Sequence, residues 1–161
     1  MESMNLELVI DSAKDLKEVG RIYKTRVYAK LEFGNIRRET LPDDRGKTNP
    51  TWKYPTSFIV RNEEVADDKT TVTIKLYGKR PLFKDKYLGK VPVSLKDIYR
   101  KGNRPGTKIL SYKVKDGQGF LTISYEFIGC QTKGTGADDY LPSWVCPLCG
   151  ACFQVIKCFF C

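Results

Sequence analysis

The sequence predicts an all-β protein, an antiparallel sandwich of about eight short strands. Three observations carry that expectation. Apolar and polar residues alternate with a period of two in several segments, the breaks between them carry turn chemistry, and only SLKDIYRKG (94–102) reads as a helix, a short one.

In NLELVID, Leu6, Leu8 and Ile10 alternate with polar neighbours, as a half-buried strand requires. RVYAKLEF follows, with Val27, Ala29, Leu31 and Phe33 on one face and Arg26, Tyr28, Lys30 and Glu32 on the other. TTVTIKLY turns Val72, Ile74 and Leu76 inward, and GFLTISYEFI does the same with Leu121, Ile123, Tyr125 and Phe127. Shorter candidates lie at 37–41, 57–61, 87–93 and 109–114, separated by PDDRGKTNP, KRP, RKGNRPG and KDGQG. From Gly129 the alternation stops. The expected organisation is a sandwich over residues 1–128, a small, polar linker over 129–140 and a Cys-rich apolar tail over 141–161.

At 161 residues the chain can bury a real core, and 41% apolar with 29% charged residues places it among globular rather than disordered sequences. The net charge of +9 calls for an anionic partner. From Cys130 onward Lys133 and Lys157 cancel Asp138 and Asp139, so the first 129 residues carry the whole excess. The opening MESMNLELVIDSAKDL has no apolar core of signal-peptide length, and Glu2 stands where N-myristoylation needs glycine, so a cytoplasmic chain is expected. Histidine is absent, removing the commonest general base, and no phosphate-cradling glycine loop appears, which argues against an enzyme. The cations cluster on turns rather than on a basic helix, which makes nucleic acid the weaker anionic partner.

The segments LELVIDSAKDLK, VYAKLEF, KTNPTWKYPTSFIV and LYGKRPLFKDKYLGKVPVSLKDI, taken together, resemble a C2 domain, most closely the small plant C2 proteins of the soybean cold-regulated and copine-associated defence type. The match covers about residues 4–128. Within it Asn49-Pro50 makes a turn, Trp52 is available as a core plug, and Gly89 supplies a position without a side chain where the chain re-enters the sheet. The resemblance implies an eight-stranded C2-type sandwich whose loops at one end touch phospholipid, and a role in stress or defence signalling at the plasma membrane. It also implies a calcium site of loop aspartates, from which this sequence departs. Arg26 stands where the first loop would place an aspartate, and Gly78, Lys79 and Arg80 stand where the third loop would place more. Asp85 remains as a remnant, too little for an ion that takes about six to eight oxygens.

The same departure predicts a permanent positive surface. Arg21, Lys24 and Arg26 from the first loop and Lys79, Arg80, Lys84 and Lys86 from the third would converge as a lipid-binding set. Ile22, Tyr23, Leu82 and Phe83 at the tips would insert shallowly. Lys30, Arg37, Arg38 and Lys75 offer a basic stripe on the sheet, with their common face undecided. The expected partner is an anionic phospholipid membrane, bound largely without calcium; the alternatives are a protein partner, such as a copine-like C2 protein, or calcium-dependent lipid binding through a weak Ca²⁺ site at Asp85.

Three readings of the tail stay open. Cys146 and Cys149 in CPLCG and Cys158 and Cys161 in CFFC form two thiolate pairs for zinc, although eight residues between them fall short of the usual spacing of about 15 to 20. Cys158 is also fourth from the C-terminus, so CFFC fits a prenylation signal with Cys161 as an unusual last residue. In the same reading Cys146, Cys149 and Cys152, among Trp144, Val145, Leu148 and Phe153, offer acylation sites. The third reading is an unmodified apolar end, with Pro142, Pro147, Gly150, Gln154 and Lys157 weakening any spanning helix. Lipid anchoring suits a basic body best, because one chain plus a basic patch holds firmly.

Overall fold

The computed structural model describes residues 2–20, 22, 24–102 and 106–132. Eight strands and two short helices follow one another: β1 (Glu2–Lys14), β2 (Val27–Phe33), β3 (Ile36–Glu39), β4 (Thr51–Arg61), α1 (Asn62–Ala66), β5 (Thr71–Gly78), β6 (Lys86–Ser94), α2 (Leu95–Lys101), β7 (Lys108–Lys113) and β8 (Phe120–Thr132). They form two antiparallel four-stranded sheets, β4-β1-β8-β7 and β3-β2-β5-β6. The period-two residues face each other across the gap between the sheets. Leu6, Leu8, Ile10, Leu121, Ile123 and Tyr125 from one sheet meet Val27, Ala29, Leu31, Val72, Ile74 and Leu76 from the other, and all are buried. A one-residue slip in any of these strands would carry its apolar set to water, so burial fixes the register.

Register also fixes where the loops go. Lys14 pairs with Phe120, Val27 with Gly78, and Gly78 with Lys86, so loops 15–26, 79–85 and 114–119 emerge at one end. Loop 40–50 joins them, since Ser12 pairs with Thr51 and Asp43 forms an antiparallel bridge to Val27. The helices occupy connections at the opposite end.

Several elements differ from the sequence expectation. β4 begins at Thr51 rather than at 57, and its first half carries the half-buried Trp52, Tyr54 and Thr56. Trp52 packs at the core's margin, with its Nε1 donating to the Val27 carbonyl at 2.9 Å, rather than plugging the centre. Helix α1 was not expected; its five residues bury Val65 alone, too little for a helical period to show. Helix α2 starts as expected from Ser94, whose hydroxyl accepts from the Asp97 amide. Strand β8 continues to Thr132, four residues beyond the expected edge of the sandwich. Phe127, expected inward, is half-buried beside Tyr99 and Tyr125. Tyr28 lies in an outward register position yet is only 2% exposed, because Tyr77 stacks against it and lysines cover it. The remaining linker and tail, including Cys146, Cys149, Cys152, Cys158 and Cys161, lie outside the described residues.

Candidate functional site

Loops 15–26 and 79–85 are built against each other at the shared end. Gly78, the last residue of β5, leaves room for a neighbouring side chain: a Cβ there would stand 2.1 Å from a Val19 methyl carbon. Buried Val19 therefore seats the first loop directly on the end of β5. One residue on, the Lys79 amide donates to the Arg26 carbonyl at 2.8 Å, and Lys86 Nζ reaches the Glu18 carbonyl at 3.4 Å. Arg80 Nε donates to the Lys84 carbonyl at 2.7 Å, closing the third loop on itself, with the guanidinium 5.7 Å from the Phe83 ring.

The tips carry apolar side chains in water. Ile22 is 88% exposed, Leu82 78% and Phe83 63%. Of the cations expected here, Arg26 pairs with Asp44 and Lys79 with Asp85. Lys24, Arg80, Lys84 and Lys86 make no salt bridge among the described residues. Arg21 and Tyr23 lie outside those residues.

Three acids of this end, Asp85, Asp43 and Asp44, are engaged in structural contacts. Tyr28 Oη donates to Asp85 Oδ2 at 2.5 Å, and Lys79 Nζ lies 3.3 Å from the same oxygen. The hydrogen bond from Tyr28, reinforced by Lys79, holds the Asp85 carboxyl below the usual carboxylate range. Burial, with the Asp85 carboxylate beside it, pushes the Tyr28 hydroxyl well above its ordinary value. In the neighbouring loop, burial alone would raise Asp43, but it accepts from the backbone N–H groups of Arg45, Thr51 and Gly46 at 2.9 to 3.1 Å, which lower it. Among the described residues no three His, Cys, Asp or Glu side chains gather to hold a metal. Asp85 carries a lysine ammonium and a tyrosine hydroxyl, Asp44 an arginine, and Asp43 three amides, so these residues do not fit a calcium ion. Asp43 also lines a cleft of about 240 Å³ with Leu41, Pro42, Trp52 and Tyr54.

The basic stripe resolves into a different set of residues. Lys30, Lys75 and Lys90 stand in one cross-strand row on the outer face of β2, β5 and β6. Arg37 lies opposite Glu32 on that face, whereas Arg38 lies opposite inward-facing Leu31 and does not share it. This row is compensated, by Glu39 for Lys30 at 3.9 Å, Glu32 for Lys75 at 3.0 Å and Asp116 for Lys90 at 3.8 Å. The hydrogen bond between Lys75 and Glu32 raises the first and lowers the second. Beside the lysines runs a row of Tyr28, Tyr77 and Tyr87, in contact at centroid distances of 5.7 and 5.6 Å. Lys90 and Tyr87 were missed because, three residues apart, they belong to opposite faces of a regular strand. A bulge pairing Tyr77 with Tyr87 and Leu76 with Gly89 brings both outward.

The topology, the loop end and the sequence agree on one class: the chain belongs to the C2 domain family, whose profile matches residues 4–110. Among curated relatives it is 33% identical over 138 residues to Protein SRC2 of Glycine max, a match covering 79% of this chain and 47% of that one. It is 28% identical over 149 residues to the Protein SRC2 homolog of Arabidopsis thaliana, covering 88% and 46%. The chain thus spans less than half the length of these two relatives. The solved pair of C2 domains from Extended-Synaptotagmin 2 superposes with a TM-score of 0.64 at 17% identity, covering 77% of this chain and 41% of that one, which bears on the fold alone. Among the described residues no helix is long and apolar enough to cross a membrane.

Proposed function

We propose that the chain is a non-enzymatic, peripheral membrane protein that docks on anionic phospholipid without calcium. The observation that carries this reading is the coincidence, on two loops fixed to each other, of exposed Ile22, Leu82 and Phe83 with Lys24, Arg80, Lys84 and Lys86, which make no salt bridge among the described residues. Each such cation contributes about 1 kcal/mol near an anionic leaflet before screening, and each apolar tip adds burial in the headgroup region. Arg21 and Tyr23, neighbours of Ile22 in sequence, join the same set. Calcium is not needed, because the charge it would supply is already present as lysine and arginine. Co-sedimentation with phosphatidylserine vesicles in chelator tests this; a chain that stays in solution at low salt contradicts it.

The finer reading places the protein at the cytoplasmic side of the plasma membrane of a plant cell, in stress or defence signalling, with a tail that lengthens residence through a prenyl or acyl chain. Under it, Cys158→Ser releases the protein from membranes in plant cells. Zinc bound by Cys146, Cys149, Cys158 and Cys161 would instead appear in metal analysis of the purified chain, without added lipid mass. A second reading rests on the compensated lysine and tyrosine rows, which suit a protein surface better than a lipid one: an adaptor holding a copine-like partner. A pull-down that survives detergent and high salt would favour it.

A further inference from the structure

For a surface that meets anionic lipid, the carboxylate of Asp85 is a liability as a charge. It stands in the middle of Lys79, Arg80, Lys84 and Lys86 and subtracts from them. Its contacts give it another use. Asp85 Oδ2 accepts from the Tyr28 hydroxyl at 2.5 Å and takes the Lys79 ammonium at 3.3 Å, and that ammonium lies 4.9 Å from the centre of the Tyr28 ring. Tyr28 is a firm anchor, buried in β2 and stacked on Tyr77. The two ends of the third loop are thereby tied to each other and to β2, while the Lys79 amide and Lys86 Nζ tie them to the first loop. The exposed Leu82 and Phe83 lie between the ties.

From this geometry we propose that Asp85 and Tyr28 are positioning residues of the docking end. They latch loop 79–85 in the shape that presents Arg80, Leu82, Phe83 and Lys84 to an anionic lipid surface, with the Lys79 ammonium as the loop's resident cation. The proposal rests on the docking reading above and adds the device that stands in for a bound ion. A loop ordered before contact spares the conformational cost that a loose one meets on binding.

The test turns on a sign. If Asp85 acted only as a charge, Asp85→Asn would add one positive unit and tighten binding by about fivefold. The latch predicts the reverse, several-fold weaker binding. Tyr28→Phe, which leaves the charge untouched, should weaken binding as well. Both are measured on the full chain from bacteria, which attach no prenyl or acyl group, against phosphatidylcholine–phosphatidylserine vesicles, with amide hydrogen exchange of loop 79–85 as the second readout. Weaker binding together with faster loop exchange in both variants supports the latch. Tighter binding by Asp85→Asn, or unchanged loop exchange in both variants, overturns it whether or not the domain docks. Wild-type chain that does not bind overturns the docking reading itself. Should Asp85→Asn unfold, Tyr28→Phe decides alone: unchanged binding or unchanged exchange overturns the latch.

Discussion

Gly89 has φ of 139°, and a Cβ there would stand 2.3 Å from a Val114 methyl carbon and 2.7 Å from the Lys115 carbonyl oxygen. That carbonyl accepts from the Lys90 amide at 2.9 Å, so it cannot retreat without breaking the bridge that covers the β6 edge. Gly89→Ala should cost about 1 to 3 kcal/mol, read as a lower denaturant midpoint with an unchanged slope; an unshifted midpoint would mean that the bulge relaxes freely. Asp85 gives a prediction in pH. A carboxyl held low in the folded state contributes stability that is complete above its unfolded value of about 3.9, and that is lost as pH falls through the folded value. NMR shifts of loop 79–85 should therefore stay constant from about pH 8 to pH 5, the range in which histidine would titrate, since the chain has no histidine. They should move only in stronger acid. A midpoint near neutrality would assign the loop to some other titrating group.

The third loop carries two of the exposed apolar tips, Leu82 and Phe83. Replacing both Leu82 and Phe83 with Ser should lower vesicle affinity by about tenfold, the scale of partial burial of two apolar side chains. The thermal midpoint should hold, because both side chains are already in water. A double variant that binds like the wild type would remove insertion from the mechanism. Elements with unbroken alternation were legible in the sequence: β2, β5 and the centres of β1 and β8 follow their inward residues one by one. What the sequence hid has physical causes. The early start of β4 is masked by Lys53 at φ 46° and Pro55 on an edge strand, where burial is partial. The Leu88 bulge switches the face of everything before it, which put Tyr87 and Lys90 out of reach of a period-two reading. The two loops of the candidate site were legible in composition, as clusters of cations and apolar residues, but the contacts between them were not. Tyr28 and Asp85 lie 57 positions apart, and only folding brings the hydroxyl and the carboxylate into contact.

At the scale of the molecule, acids compensate the lysine row of the sheet face while Lys24, Arg80, Lys84 and Lys86 stay without salt bridges among the described residues at the loop end. Docking is therefore expected end-on, through the tips. Strand β8 finishes at the opposite end, with Thr132 paired to Glu2. A lipid-modified tail would have to return along the sandwich to reach the same bilayer. The 29 residues beyond Thr132 allow that, since an extended chain covers about 3.3 Å per residue. In cells, a truncation after Thr132 should keep a weaker, salt-sensitive membrane association if loops and tail act together; complete release would assign localisation to the tail alone. Calcium-independent docking is read out by vesicle binding of the full bacterial chain in chelator, across a salt series, with and without added calcium. Binding at low salt should weaken steadily as salt screens the cations and be unchanged by calcium. No binding in chelator, or binding that appears only when calcium is added, would contradict it.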